Sequence, residues 1–266
     1  MPAILDRTLF IRNRSRYDII RRRATAFCAN YAGNNIIQDD IFCLMENYAR
    51  LHDTRLEILR YPLGNDNLSA CTFIRNGVVF AAVNTEIPLC RQIFAAAHEL
   101  YHLYLVLEDC VPGLEMHDSI LDTSSIDAKT ARLEDAEANA FAGAVLAEGR
   151  SITEQMRIFG IQPHAVSSRD ILTLMEIFAL PCKAMVLRLF EEELIGKEKA
   201  EKLIQAGADE CTEMPGRASR WQRKTPESIS FGSLTENMKM TSKLDAVDSE
   251  RYREDKAFLD GIINRK

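Results

Sequence analysis

Leu89-Cys90-Arg91-Gln92-Ile93-Phe94-Ala95-Ala96-Ala97-His98-Glu99-Leu100-Tyr101-His102-Leu103-Tyr104-Leu105-Val106-Leu107 decides how this chain is read. The run holds no Gly or Pro, and Ile93, Phe94, Ala97, Leu100, Leu103, Tyr104 and Leu107 give a helix a broad apolar surface. Pro88 stands where a first turn tolerates it. Inside the helix, His98-Glu99-Leu100-Tyr101-His102 spells HExxH. Two imidazoles four residues apart on a helix point the same way and can hold one zinc ion. Glu99 falls beside them, placed to take a proton from a water whose acidity the ion raises. The stretch therefore predicts metal-assisted attack on an amide carbonyl, with His98 and His102 as ligands and Glu99 as catalytic base.

Zinc in a peptidase takes a third protein ligand and keeps one position open. The remaining histidines are poor candidates: His52 precedes the strands, His117 lies in a loop and His164 follows Pro163. The next helix, read over Ala128 to Glu148, offers Glu134, Asp135 and Glu137. Asp135 shares its face with Ala138, Asn139 and Ala142, small residues that let two helices approach closely, so its face is expected to be buried. Glu134 aligns with Ala138, Phe141 and Val145, and Glu137 with Phe141 and Ala144. Asp135 is the favoured third ligand, with Glu134 and Glu137 as alternatives.

Upstream, Arg16 to Tyr31 and Ile41 to Arg50 carry helical spacing, and Arg21, Arg22 and Arg23 read as a solvated face. The period then changes. Arg55 to Tyr61, Ala70 to Arg75 and Val78 to Asn84 are short apolar runs separated by Gly64-Asn65-Asp66-Asn67 and by Asn76-Gly77, a favourable hairpin turn. They predict a small antiparallel sheet, with Val78 to Asn84 as an edge strand able to align an extended substrate. Glu108 to Asp127, with Pro112 and Gly113, reads as an irregular loop walling a cleft.

Arg91-(x)2-Phe94-(x)2-Ala97-His98-Glu99-Leu100-(x)-His102, followed by Glu137-Ala138-Asn139-(x)-Phe141-Ala142, resembles the ImmA/IrrE family of metallo-endopeptidases. The resemblance spans roughly Tyr17 to Ala206 and is most specific between Arg91 and Leu146. It implies an acidic third ligand four positions before Asn139, which is Asp135. It also implies a zincin-like core and cleavage of a specific protein, a helix-turn-helix repressor. Tyr101 stands where that family usually has Gly, and Leu146-Ala147-Glu148 where Leu-Met-Pro is common. Ile171 to Phe178, the Ala179-Leu180-Pro181 turn and Met185 to Phe190 resemble the helix-turn-helix-like region of the same family. Direct DNA binding there is disfavoured, because Lys183 and Arg188 are followed by Glu191, Glu192 and Glu193. The competing expectation is a non-catalytic partner-binding module of a toxin-antitoxin-like or stress-response pair.

The 266 residues suffice for a sizeable core, and 47% hydrophobic with 27% charged residues is ordinary globular composition. A formal charge of -6 does not suggest a polyanionic main partner. Seven scattered cysteines without a CxxC pair argue against a disulfide framework or a cysteine zinc site and read as reduced, half-buried small hydrophobes. No leader-like start and no membrane-length apolar run are visible, so the expectation is a cytoplasmic protein without a membrane partner. The fold expected is α+β: a zincin-like domain over 1–150, a helical unit over 151–207 and a polar, poorly ordered tail over 208–266 containing an isolated Trp221.

Overall fold

The computed structural model describes residues 4–63, 68–75, 77–108, 119–120, 128–210 and 220–225, with backbone alone at 75, 119–120, 128–132 and 207–210. It is α+β. Among the described residues the order is α1 (Leu9–Arg12), α2 (Arg14–Tyr31), α3 (Ile41–Leu51), β1 (Arg55–Tyr61), β2 (Ala70–Arg75), β3 (Val78–Asn84) and α4 (Leu89–Leu107). Then come β4 (Ser119–Ile120), α5 (Ala128–Leu146), α6 (Gly149–Ile158), α7 (Ser168–Phe178), α8 (Cys182–Glu191) and α9 (Lys197–Glu210).

The sheet runs β1-β3-β2-β4 and is mixed, which corrects the antiparallel sheet expected. β2 and β3 form the antiparallel hairpin, Phe73 opposite Phe80, with Gly77 at φ 71 in the turn. β1 instead lies parallel to β3, Leu56 beside Val79. Turn residues report a reversal of direction between successive strands and are silent on which strands become neighbours. Burial decides that. All seven residues of β3 are buried, Val79, Ala81 and Val83 in the main core and Val78, Phe80 and Ala82 in a second cluster with Leu59 and Phe73. A strand apolar on both faces belongs in the middle. β3 is therefore not the edge strand expected; β1, interrupted by Arg55, Glu57 and Arg60, takes one edge. Ser119 and Ile120, read as loop, pair as β4 with Ile74 and Phe73. The rest of the predicted cleft wall, 109–118 and 121–127, lies outside the described residues.

α4 packs on β2 and β3 and lies against α5, which in turn packs on α2. One buried apolar cluster runs from Leu5 through Ile20, Phe27, Tyr48, Leu100 and Phe141 to Ile152, Leu174, Met185 and Leu203. The boundary drawn at residue 150 falls inside the first turn of α6, and a buried charge cluster spans it. Arg188 of α8, 2% exposed, donates from Nε to the Ala147 carbonyl at 3.1 Å, and from Nη1 to the Tyr17 hydroxyl at 2.9 Å and Glu191 at 2.7 Å. Its Nη2 meets Glu192 at 2.5 Å. Burial works against the guanidinium's charge, yet Glu191, Tyr17 and Glu192 hold its pKa above the ordinary value. Arg188 therefore offers no charge to a phosphate backbone.

α7 opens with a reciprocal capping box between Ser167 and Asp170 and stops at Ala179, whose φ of 53 is left-handed; Pro181 then caps α8. After α9 the chain returns. The poorly ordered tail expected from Ala208 is corrected at 220–225. Trp221 is 3% exposed and donates from Nε1 to the Glu176 carbonyl at 2.9 Å, so this residue is an anchor, its indole buried and its one donor satisfied. The Arg223 carbonyl accepts from the Leu89 amide at 3.0 Å, supplying one partner at the start of α4. Thr225 Oγ1 meets Gln92 and Arg60. No helix among the described residues is long and apolar enough to cross a membrane.

Candidate metal centre

α4 and α5 lie side by side, and each histidine of α4 meets a polar side chain of α5. His98 Nδ1 faces Asn139 Oδ1 at 3.1 Å, and His102 Nδ1 faces Glu134 Oε1 at 3.1 Å. Both partners accept, so each ring carries its proton on Nδ1 and presents the Nε2 lone pair. Burial alone would lower the His102 pKa, but the Glu134 bond and the charges of Glu99, Glu134 and Asp135 carry it above the ordinary imidazole value. The two rings sit 5.1 Å apart by centroid.

Of the three acidic candidates on α5, geometry gives each a separate task. Asp135 Oδ1 is 4.0 Å from His98 Nε2, beyond hydrogen-bond reach, and one donor atom each from His98, His102 and Asp135 lie within 4.8 Å of one another. Glu134 is occupied with His102. Glu137 is occupied elsewhere, accepting from Arg16 Nε at 2.6 Å and from the Tyr101 hydroxyl at 2.7 Å. The expectation of a buried face for Asp135 is corrected: its side chain is 52% exposed, while Ala138 and Ala142 beneath it are buried.

The donor set fits a divalent ion. Tetrahedral bonds of about 2.0–2.1 Å put ligand atoms about 3.3 Å apart, so closing separations of up to 4.8 Å takes a contraction of at most about 1.5 Å. Two imidazole nitrogens with one carboxylate are donors that borderline divalent metals accept. His52, by contrast, is tied to the Tyr48 carbonyl at 2.9 Å, and His164 is exposed, so neither approaches the cluster.

Glu99 is buried, and its Oε2 accepts from the Thr72 hydroxyl of β2 at 2.6 Å. Among the described residues no other bond to this carboxylate is made, so Oε1 is the oxygen left to take a proton. Thr72, Asn139, and Glu134 as a histidine partner escaped sequence reasoning. The signal for Asn139 and Glu134 was there, since a ligating imidazole needs an acceptor at its second nitrogen and both lie on the ligand helix. Thr72 gave none, because strand register had to be known first. Tyr101, at the position marked as a departure, is fully buried against Phe141, and burial followed by the Glu137 carboxylate raises its pKa, so it remains a hydrogen-bond donor.

Of the five described cysteines, Cys43 is exposed, Cys90 is buried, and Cys28, Cys71 and Cys182 are half-buried. Comparison with family models and with curated proteins yields no match.

Proposed function

We propose that the chain is a zinc-dependent endopeptidase with a zincin-like core, cleaving a specific protein partner. The observation that carries this is the convergence of His98, His102 and Asp135, with both Nδ1 atoms already satisfied, beside a buried Glu99 held by Thr72. An ion held by these residues supplies Lewis acidity toward water and carbonyl oxygen. The chain's own residues do the rest. Glu99 Oε1 accepts the proton of the attacking water and can return it to the leaving amine, while Thr72 fixes the carboxylate by occupying Oε2. Asn139 and Glu134 hold the imidazoles in the tautomer that presents Nε2.

The resemblance of the HExxH and Glu137-Ala138-Asn139 segments to the ImmA/IrrE family favours a helix-turn-helix repressor as substrate.

The decisive experiment incubates the purified, zinc-loaded protein with the helix-turn-helix protein encoded beside it and maps new termini by mass spectrometry. Glu99→Gln is expected to keep stoichiometric zinc and partner binding and to lose cleavage by about 10²–10⁴-fold. Equal cleavage by Glu99→Gln, or wild-type protein without stoichiometric metal, sinks the proposal; intact cellular function of Glu99→Gln favours a non-catalytic binding module.

A further inference from the structure

Glu137 is 4% exposed, and its surroundings differ in kind from those of Asp135 two residues earlier. Arg16 of α2 grips it through Nε at 2.6 Å and Nη2 at 2.8 Å, and the Tyr101 hydroxyl of α4 donates to Oε2 at 2.7 Å. The Tyr101 ring lies 5.2 Å from that of Phe141 on α5. One buried carboxylate thus joins three helices, and its partner on α4 is the residue immediately before His102.

α5 meets α4 along the strip where Glu134 reaches His102 and Asn139 reaches His98. At about 100° per residue, Asp135 points between Glu134 and Asn139, whereas Glu137 points about 60° to the far side of Glu134. The distance from Asp135 to the imidazole pair therefore depends on the roll of α5 about its own axis. A roll of about 10° moves an atom at an outer radius of about 5–6 Å by about 1 Å. A metal site tolerates about 0.2 Å. Asp135 makes no hydrogen bond of its own to resist such a roll, since its His98 contact stands at 4.0 Å, and the contacts beside it, Asn139 to His98 and Glu134 to His102, are single ones at 3.1 Å. The buried, three-bonded Glu137 adds a further restraint on the other side of Glu134.

We infer that Tyr101, Glu137 and Arg16 are positioning residues of the metal centre, setting the roll of α5 that brings Asp135 to His98 and His102. The inference rests on the metal-centre reading above. A buried carboxylate needs partners in any case, so a purely structural role predicts lower stability with unchanged affinity; a positioning role predicts that affinity itself moves.

The test measures zinc affinity of the full chain by competition with a chromophoric chelator, beside thermal unfolding of the metal-free protein. Tyr101→Phe keeps the ring against Phe141 and deletes the hydroxyl, and is expected to weaken zinc binding about tenfold, the low end for loss of an outer-shell partner. Glu137→Gln is expected to weaken it at least as much. The Tyr101→Phe/Glu137→Gln double variant should be no weaker than the worse single variant, because both break the same link. Arg16→Lys should stay closer to wild type than Arg16→Met. Zinc affinity within twofold of wild type in Tyr101→Phe, whatever its unfolding temperature, overturns the inference, and that variant alone decides should Glu137→Gln fail to fold. A wild-type chain without zinc, or a His98→Ala variant that binds it normally, sinks the metal-centre reading itself and the inference with it.

Discussion

Two clusters of charge sit near opposite ends of α5, and they are built on opposite plans. Around Arg188 every guanidinium nitrogen is spent: Nε on the Ala147 carbonyl, Nη1 on Tyr17 and Glu191, Nη2 on Glu192. Around His98 and His102 the Nδ1 atoms are spent, while a carboxylate and two ring nitrogens converge on a gap too wide for a hydrogen bond and open at Asp135. The first cluster holds as many formal charges as the second. What separates a brace from a site is unspent donor capacity aimed at one point, not charge density or burial.

The comparison breaks most sharply at Arg188. Arg188→Met strands Glu191 and Tyr17 in the core and is expected to cost about 3–5 kcal/mol, measured by urea unfolding, equally with and without zinc. A loss below about 1 kcal/mol would mean that the brace is solvated in solution. Asp135→Ala should do the reverse. Under the proposed function, wild-type protein should gain about 2.7 kcal/mol at a zinc concentration about a hundred times Kd, and the variant should lose most of that gain while its metal-free stability stays within about 0.5 kcal/mol of wild type. If Asp135→Ala keeps the gain, the third ligand lies elsewhere.

Smaller effects sharpen the picture. Gly143 lies on α5 where an added Cβ would stand 2.7 Å from Arg188 Cδ. In an open helix Gly→Ala gains about 0.5–1 kcal/mol; here Gly143→Ala should lose about 1–3 kcal/mol, so the sign of the change reports whether Arg188 is locked. The least costly probe is chemical. Cys28 donates to the Val145 carbonyl of α5 at 3.7 Å, and burial, then the charge of Glu148, pushes its thiol up to about 12. At pH 8 about one molecule in ten thousand would carry that thiolate, so alkylation mapped by mass spectrometry should mark exposed Cys43 long before Cys28. Similar rates would show that α2 and α5 part readily.

Much of this was legible in the residues. The spans of β1, β2, β3 and α4 follow from alternation, from Asn76-Gly77 and from an unbroken apolar run, because local backbone preference and one-sided burial act within a few residues. His98, Glu99 and His102 follow from helical spacing for the same reason. The parallel pairing of β1 with β3 does not, since neighbour choice is settled by which strand can be buried on both faces. Trp221 was misjudged and the partners of Arg188 were not foreseen: each residue sits in a charged stretch, and long-range partners such as Tyr17 and Glu176 leave no trace in the local pattern. Asp135 was placed at the cluster for a face expected to be buried, and it reaches the cluster from a rim that is exposed.

The return of residues 220–225 to the start of α4 has a consequence for biosynthesis. The histidine helix leaves the ribosome long before the carbonyl of Arg223 and the indole of Trp221 exist to finish its surroundings. A nascent chain can therefore display both imidazoles while their helix still lacks that latch, and completion of its surroundings waits until residues 220–225 have been made.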